Sequence, residues 1–232
     1  MSTVFITGAN RGLGKGFVDY FAEKDDTVFA GMRNVDESMR SENVIPVSLD
    51  ISDDNSIKTA FETVRKHTSS IDFIINNAGI NKDSATEGHK ELVCKLADLD
   101  RNSLMKMFDV NSVSSIILTK IFLPLLKSSS SWIINISSCR ASFHDKDENG
   151  NPNYGYRASK IALNMFTARS IFDLPENIKT FAVHPGSVRS DMNPDGGDEP
   201  KVQAEKIISI TKNWSDENNG KFFDYNGSLY PL

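Results

Sequence analysis

The 232-residue chain is 39% hydrophobic and 25% charged, proportions that exclude disordered and fibrous classes and suit a globular protein. Its formal net charge of -5 provides no general attraction to phosphate backbones or anionic lipid, so nucleic acid and membrane surfaces are not expected partners. Cys94 and Cys139 are far apart and lack metal-ligand spacing, which predicts reduced thiols in the cytosol and no metal site. The start MSTVFITGAN has no basic segment before its apolar run, and no apolar run of about 18 residues is visible, so neither export nor a membrane span is expected.

In chain order, a first strand is predicted over 3–8 (TVFITG), followed by a helix with the apolar stripe Leu13, Phe17, Val18 and Phe21. Strands follow over 27–33 and 43–50. Asp53 to His67 then reads as an amphipathic helix through Ile57, Ala60, Phe61 and Val64. After a strand over 71–79 comes a polar insertion, Asn81 to Leu99. A longer helix from about Asp100 to Lys127 has Asn111 midway and Pro124 bending or ending it. A strand over 131–138 leads into the polar stretch Ser142 to Asn153, read as a surface loop. Two more strands are predicted over 178–186 and 220–227, separated by a Gly-, Asp- and Pro-rich segment expected to be a mobile lid, Ser187 to Pro200. Strands alternating with helices, several apolar on successive residues, predict one α/β domain over 1–232. Its expected architecture is a single Rossmann-like, doubly wound parallel sheet of about seven strands with helices on both faces.

The first strand–helix junction reads TGANRGLG, with Gly8, Gly12 and Gly14. Glycines permit a tight turn and close approach of backbone N–H groups to a pyrophosphate, whose charge the helix N-terminus favours. Arg11 lies in this loop and Arg33 follows the second strand, which no acidic residue ends. A carboxylate there would suit the ribose hydroxyls of NAD. Arginines instead can clamp an added phosphate with charge-assisted bonds, so NADP(H) is the expected cofactor.

From Val4 to Met192 the ordered set TGANRGLG, Leu49-Asp50, NNAG at 76–79, Asn111, ISS at 136–138, YRASK at 156–160 and HPG at 184–186 resembles the short-chain dehydrogenase/reductase superfamily. The flavour is that of its small carbonyl-reductase branch, which includes the C-factor signalling proteins and their insect relatives. The resemblance implies a catalytic set of Asn111, Ser138, Tyr156 and Lys160. Tyr156 would exchange a proton with the substrate oxygen, Ser138 would orient that oxygen, and Lys160 would bind the nicotinamide ribose. Asn111 would bend its helix and hold a relay water. Lys160, one turn from Tyr156, is expected to draw the phenol below its usual pKa near 10. Cofactor contacts implied are Gly8, Asn10, Arg11, Gly12, Leu13, Gly14, Arg33, Asp50, Ile51, Asn77, Ala78, Gly79, Tyr156, Lys160, Pro185, Gly186, Val188 and Ser190, which stands where the family pattern has threonine. Asn76, Ser137 and His184 read as structural, and Cys139 as a small buried neighbour.

The function expected is NADPH-dependent interconversion of a small carbonyl compound and its alcohol, in a cytoplasmic homodimer or homotetramer. A non-catalytic NADP sensor on the same fold, and a nucleotide-sugar epimerase or dehydratase, are the alternatives weighed. The four-residue catalytic set argues against the first. The glycine spacing and the short segment after Gly186 argue against the second.

Overall fold

The structure is a computed structural model that describes residues 1–81, 96–126, 130–144, 152–191, 193 and 196–232. Cys94, Met192 and most of the two polar insertions therefore lie outside the described residues. Seven strands form, β1 (Thr3–Thr7), β2 (Thr27–Met32), β3 (Val44–Ser48), β4 (Phe73–Asn76), β5 (Ser131–Ile136), β6 (Ile178–His184) and β7 (Phe222–Asp224). They pair in the order β3-β2-β1-β4-β5-β6-β7, every pair parallel. Each lies inside an apolar run expected to be a strand and is shorter than that run by one or more flanking residues.

Helices α1 (Gly12–Ala22), α2 (Asp54–Arg65), α3 (Arg101–Phe108), α4 (Ser114–Phe122), α5 (Tyr154–Ser170) and α6 (Pro200–Ser209) cover the sheet. The pleat divides the core: Val4 and Ile6 join Phe17, Phe21 and Ile207 on the face of α1 and α6, whereas Phe5 joins Ile57, Leu118 and Phe122 on the other. Burial on both faces explains why the strands are continuously apolar rather than alternating. Asp53 and Asp100 start α2 and α3, their carboxylates accepting the N–H of Asn55 and of Ser103, each at 2.9 Å.

The long helix expected from about Asp100 is interrupted by a π-helical turn at Asp109–Val113, which carries Asn111, and it tightens into a 3-10 turn at Leu123–Leu125 containing Pro124. Arg101–Leu125 is, by length and composition, apolar enough to cross a membrane, contrary to the reading of the sequence. Its apolar residues Met107, Leu118 and Phe122 are instead completely enclosed by the protein core.

The sheet order reverses its direction of growth between β3 and β4, so the loops leaving β1 and β4 lie side by side. Such a switch point is where open α/β sheets bind ligands. Between the strands and α5 runs a buried polar chain: Asn76 Nδ2 donates to Asn135 Oδ1 at 2.8 Å, and Asn135 Nδ2 to Thr167 Oγ1 at 2.9 Å. Removing its centre leaves buried partners unsatisfied, so Asn135→Ala is expected to lower unfolding free energy by about 1–3 kcal/mol, seen as a lower urea midpoint at unchanged slope.

Candidate active site

The β1–α1 loop turns through Gly8 at φ 65° and Gly12 at φ 52°, where side chains are strained. A Cβ on Gly14 would lie 2.0 Å from the Gly8 carbonyl oxygen, so the loop closes on itself only because that position is bare. No side chain caps α1 and no acidic residue occupies its first turn. Those amides suit an anion, and this cradle fits a dinucleotide pyrophosphate. Leu13 is buried beneath it, whereas Asn10 and Arg11 are exposed. The two switch-point loops are bolted together. Thr7 Oγ1 accepts the N–H groups of Asn77 at 3.0 Å and Ala78 at 2.9 Å, and Asn77 Nδ2 donates back to the carbonyls of Thr7 at 2.9 Å and Gly8 at 3.2 Å. Thr7 is a site residue that the sequence reading passed over. Its signal is only its place in TGAN.

At the far end of the crevice Arg33 is exposed directly after β2, and Asp50 and Ile51 follow β3. The Ser52 hydroxyl, at 2.7 Å, and the positive charge of Arg33 hold the Asp50 carboxyl below its ordinary pKa. Arg11 is not brought against Arg33. Its guanidinium pairs with Asp191, both side chains more than half exposed. Exposed pairs contribute less than about 1 kcal/mol, so an incoming phosphate can displace this one.

The catalytic candidates converge between β5 and α5. Ser138, 8% exposed, begins the 3-10 turn Cys139–Ala141, its Oγ accepting the Arg140 N–H at 3.2 Å. Cys139 is half-buried, less enclosed than the small buried neighbour expected. The loop back to α5 is not wholly superficial. Asn153, buried and left-handed at φ 37°, donates from Nδ2 to Asn81 Oδ1 at 2.8 Å just before the helix. One turn along α5, the Lys160 ammonium donates to the Ile136 carbonyl at 2.7 Å and lies 5.9 Å from the centre of the Tyr156 ring. The Ser138 hydroxyl is close enough to the Tyr156 phenol to favour its ionised form.

Electrostatics correct one expectation. Burial pushes the Tyr156 phenol above its ordinary pKa, opposed by the Ser138 hydroxyl and the charge of Arg140, while Lys160 does not bring it down. Burial also lowers Lys160 to about 8, which weakens the ammonium on which that expectation rested.

Asn111 is fixed by β4's exit and by α5 together. Its Oδ1 accepts the Ile80 N–H at 2.7 Å, and its Nδ2 donates to the Ile80 carbonyl at 2.9 Å and to Ser159 Oγ at 3.0 Å. Ser159 in turn donates to the Tyr156 carbonyl at 2.8 Å, a link that spacing did not reveal. A Cβ on Gly79 would meet Asn111 Oδ1 at 3.2 Å and Lys160 Nζ at 3.4 Å, so the β4 loop backbone runs against the lysine.

On the opposite wall, Gln203 Nε2 donates to the Pro185 carbonyl at 2.5 Å, and Gly186 turns at φ 70° against the Tyr225 ring. The described part of the lid is knit rather than open: Val188 bridges Asp198, Ser190 bridges Asn193, and Asn193 Nδ2 donates to Ser187 Oγ at 2.9 Å. A Cβ on Gly12 would lie 3.1 Å from Ser190 Cβ, so this segment folds onto the glycine loop. His184 packs edge-on against Tyr230, with ring centres 5.6 Å apart. Buried Asn76 bonds within the sheet as the sequence reading had it, and Ser137 is also buried.

The family model for short chain dehydrogenase matches residues 2–201. The chain is 34% identical to the short chain dehydrogenase gsfK of Penicillium aethiopicum, covering 98% of each, and 30% identical to the C-signal of Myxococcus xanthus over 71% of this chain and 94% of that protein. Its fold superimposes with TM-score 0.86 on the NADPH-bound carbonyl reductase from chicken fatty liver, at 27% identity over 100% of this chain and 99% of that one. It superimposes equally well, at 0.86, on the carbonyl reductase Sniffer of Drosophila melanogaster, at 26% identity over 100% of both. The chain belongs to the short-chain dehydrogenase family, and its chemistry is NAD(P)-dependent oxidoreduction.

The lowered pKa of Lys160 has a stability signature. A folded-state pKa of about 8, against 10.5 for the free side chain, means that folding disfavours the charged form. The penalty is full below pH 8 and is relieved as pH rises from 8 to 10.5. Wild type should therefore gain at most about 3 kcal/mol relative to Lys160→Met across that window, measured by urea unfolding of both proteins at each pH.

Proposed function

We propose that this protein is an NADPH-dependent reductase of small carbonyl compounds, acting through Tyr156 as proton donor within one dinucleotide-binding domain. The observation that carries this reading is the convergence of Ser138, Tyr156 and Lys160 where the ends of β5 and α5 meet. A binding-only protein has no use for a half-buried phenol set beside a serine hydroxyl and a buried ammonium. The relatives' names support the substrate class: besides the two carbonyl reductases, a benzil reductase from Saccharomyces cerevisiae is 29% identical over 83% of this chain.

The cofactor would lie with its pyrophosphate on the Gly8–Gly14 loop, its adenosine between Arg33 and Asp50, and its nicotinamide end toward Lys160 and the Pro185–Ser190 segment. When bound, it supplies the hydride for the carbonyl carbon. The residues of this chain do the rest. With its phenol held protonated at neutral pH, Tyr156 has a proton to give the substrate oxygen. Ser138 donates to the same oxygen and stabilises its charge as the bond order falls. Lys160, fixed beside the site by its bond to the Ile136 carbonyl, is placed to hold the nicotinamide ribose. Asn111 and Ser159 lock the helix turn on which Tyr156 and Lys160 are mounted.

Arg11 and Arg33, with no carboxylate ending β2, favour the phosphorylated dinucleotide. Each charge-assisted phosphate contact contributes about 1.5–3 kcal/mol, so NADPH should bind at least about tenfold more tightly than NADH in a fluorescence titration. Comparable affinities would overturn the NADPH assignment. Tyr156→Phe removes the donated proton while keeping the ring, so turnover of a carbonyl that wild type reduces should fall at least about 100-fold with the NADPH dissociation constant within about twofold. Undiminished turnover would remove Tyr156 from the role.

A further inference from the structure

The turn that follows β6 is braced from a helix. Gln203, in the first turn of α6, is 0% exposed, and its Nε2 donates to the Pro185 carbonyl at 2.5 Å. A Cβ on Gly186 would lie 3.0 Å from the same nitrogen, so the side-chain amide lies against both residues of the turn. The other end of that amide is not satisfied. Gln203 Oε1 is buried with no hydrogen-bond partner among the described residues. A half-satisfied buried amide costs free energy that an apolar side chain of similar length avoids. Gln203 is thus a poor choice for packing alone, and what it contributes is its hold on Pro185.

The helix that carries Gln203 is itself fixed to α1. Ala204 and Ile207 are fully buried and share one core cluster with Phe17 and Phe21. At the start of α6, a Cβ on Gly16 would lie 2.3 Å from the Pro200 carbonyl carbon, so the two helices meet backbone to backbone. Gly12 and Gly14, part of the anion cradle, open the same α1. One line of contacts therefore runs from the cradle through α1 and α6 to the turn after β6. The route through the sheet is longer. In the strand order β1 and β6 are separated by β4 and β5, three strand steps or about 14 Å. A dinucleotide with its pyrophosphate on the cradle and its nicotinamide end at Pro185–Ser190 has to bridge that gap.

We infer that Gln203 is a positioning residue for the nicotinamide end of the cofactor, acting through the Pro185–Gly186 turn that it holds against α6. The inference rests on the dinucleotide reading above. Being fully buried, Gln203 does not meet the cofactor itself. It fixes the turn to α6, and the packing of α6 on α1 sets how far that turn stands from the glycine cradle. A residue that only packs the core would support both ends of the cofactor alike. Gln203 supports one.

The test compares NADPH with 2′,5′-ADP, which has the phosphorylated adenosine end and lacks the nicotinamide. Gln203→Met keeps the length of the side chain and loses the donor, whereas Gln203→Asn keeps the amide but stops a methylene short of Pro185. In each, the NADPH dissociation constant from fluorescence titration should rise about tenfold, as for one lost hydrogen bond, while that of 2′,5′-ADP from calorimetry stays within about twofold. A second readout needs no variant. In wild type the Gln203 side-chain amide signals, followed by NMR, should move on adding NADPH and stay in place with 2′,5′-ADP. Equal weakening of both ligands makes Gln203 a general support of the fold and overturns the inference. So do unchanged NADPH binding in a folded variant and amide signals that ignore NADPH. A wild type that binds neither ligand sinks the dinucleotide reading and this inference with it. One that binds NADH and ADP instead sinks only the NADPH assignment, and the same comparison, made with that pair, then decides the role of Gln203.

Discussion

A single buried ammonium holds the crevice ends of β5 and α5 in register. Lys160 is 4% exposed, and its bond to the carbonyl of Ile136, the last residue of β5, ties α5 to the sheet at the point where the strand gives way to Ser138. Burying a lysine is unfavourable, as its lowered pKa records. What the fold gains is geometry. With Lys160 anchored, Tyr156 one turn earlier must lie beside Ser138, and Ser159 and Asn111 close the same turn from behind. The phenol's raised pKa follows from that enclosure and suits it to donate a proton rather than take one.

The cofactor end depends on a different constraint, close approach of backbone to backbone. Gly14 permits the β1 loop to close, and Thr7 and Asn77 tie it to the loop leaving β4. The switch point of the parallel sheet sets these two loops next to each other, and the Gly79 backbone then continues to Lys160. The glycine-loop cradle and Lys160 are thus joined through a few residues of β4's exit. The Arg11–Asp191 pair spans from the glycine loop to the segment after β6.

Much of this was legible beforehand because its causes are local. Glycines at 8, 12 and 14 mark a turn that must pass close to something, and a Tyr and a Lys four apart share a helix face whatever the helix packs on. Continuous apolar strands separated by helix-length segments announce a parallel sheet. Other features have no local cause. The π-helical turn around Asn111 arises because its side chain is held by Ile80 and Ser159, which lie 31 and 48 residues away in the chain. The direction of the Tyr156 shift depends on how much protein surrounds the hydroxyl, and proximity of a lysine in sequence does not predict it.

The sequence by itself determined the order of elements, the parallel class of the sheet, the family resemblance and the identity of the candidate catalytic and phosphate-binding residues, since each is carried by residue type and spacing. Tertiary structure alone decided which loops adjoin, that Arg11 faces Asp191 while Arg33 faces Asp50, that Asn153 is buried at the start of α5, and that Tyr225–Leu232 returns to His184 and His144. These are contacts between distant parts of the chain. They form where packing the two faces of one sheet brings loop ends together, and no local pattern of residues encodes which ends will meet.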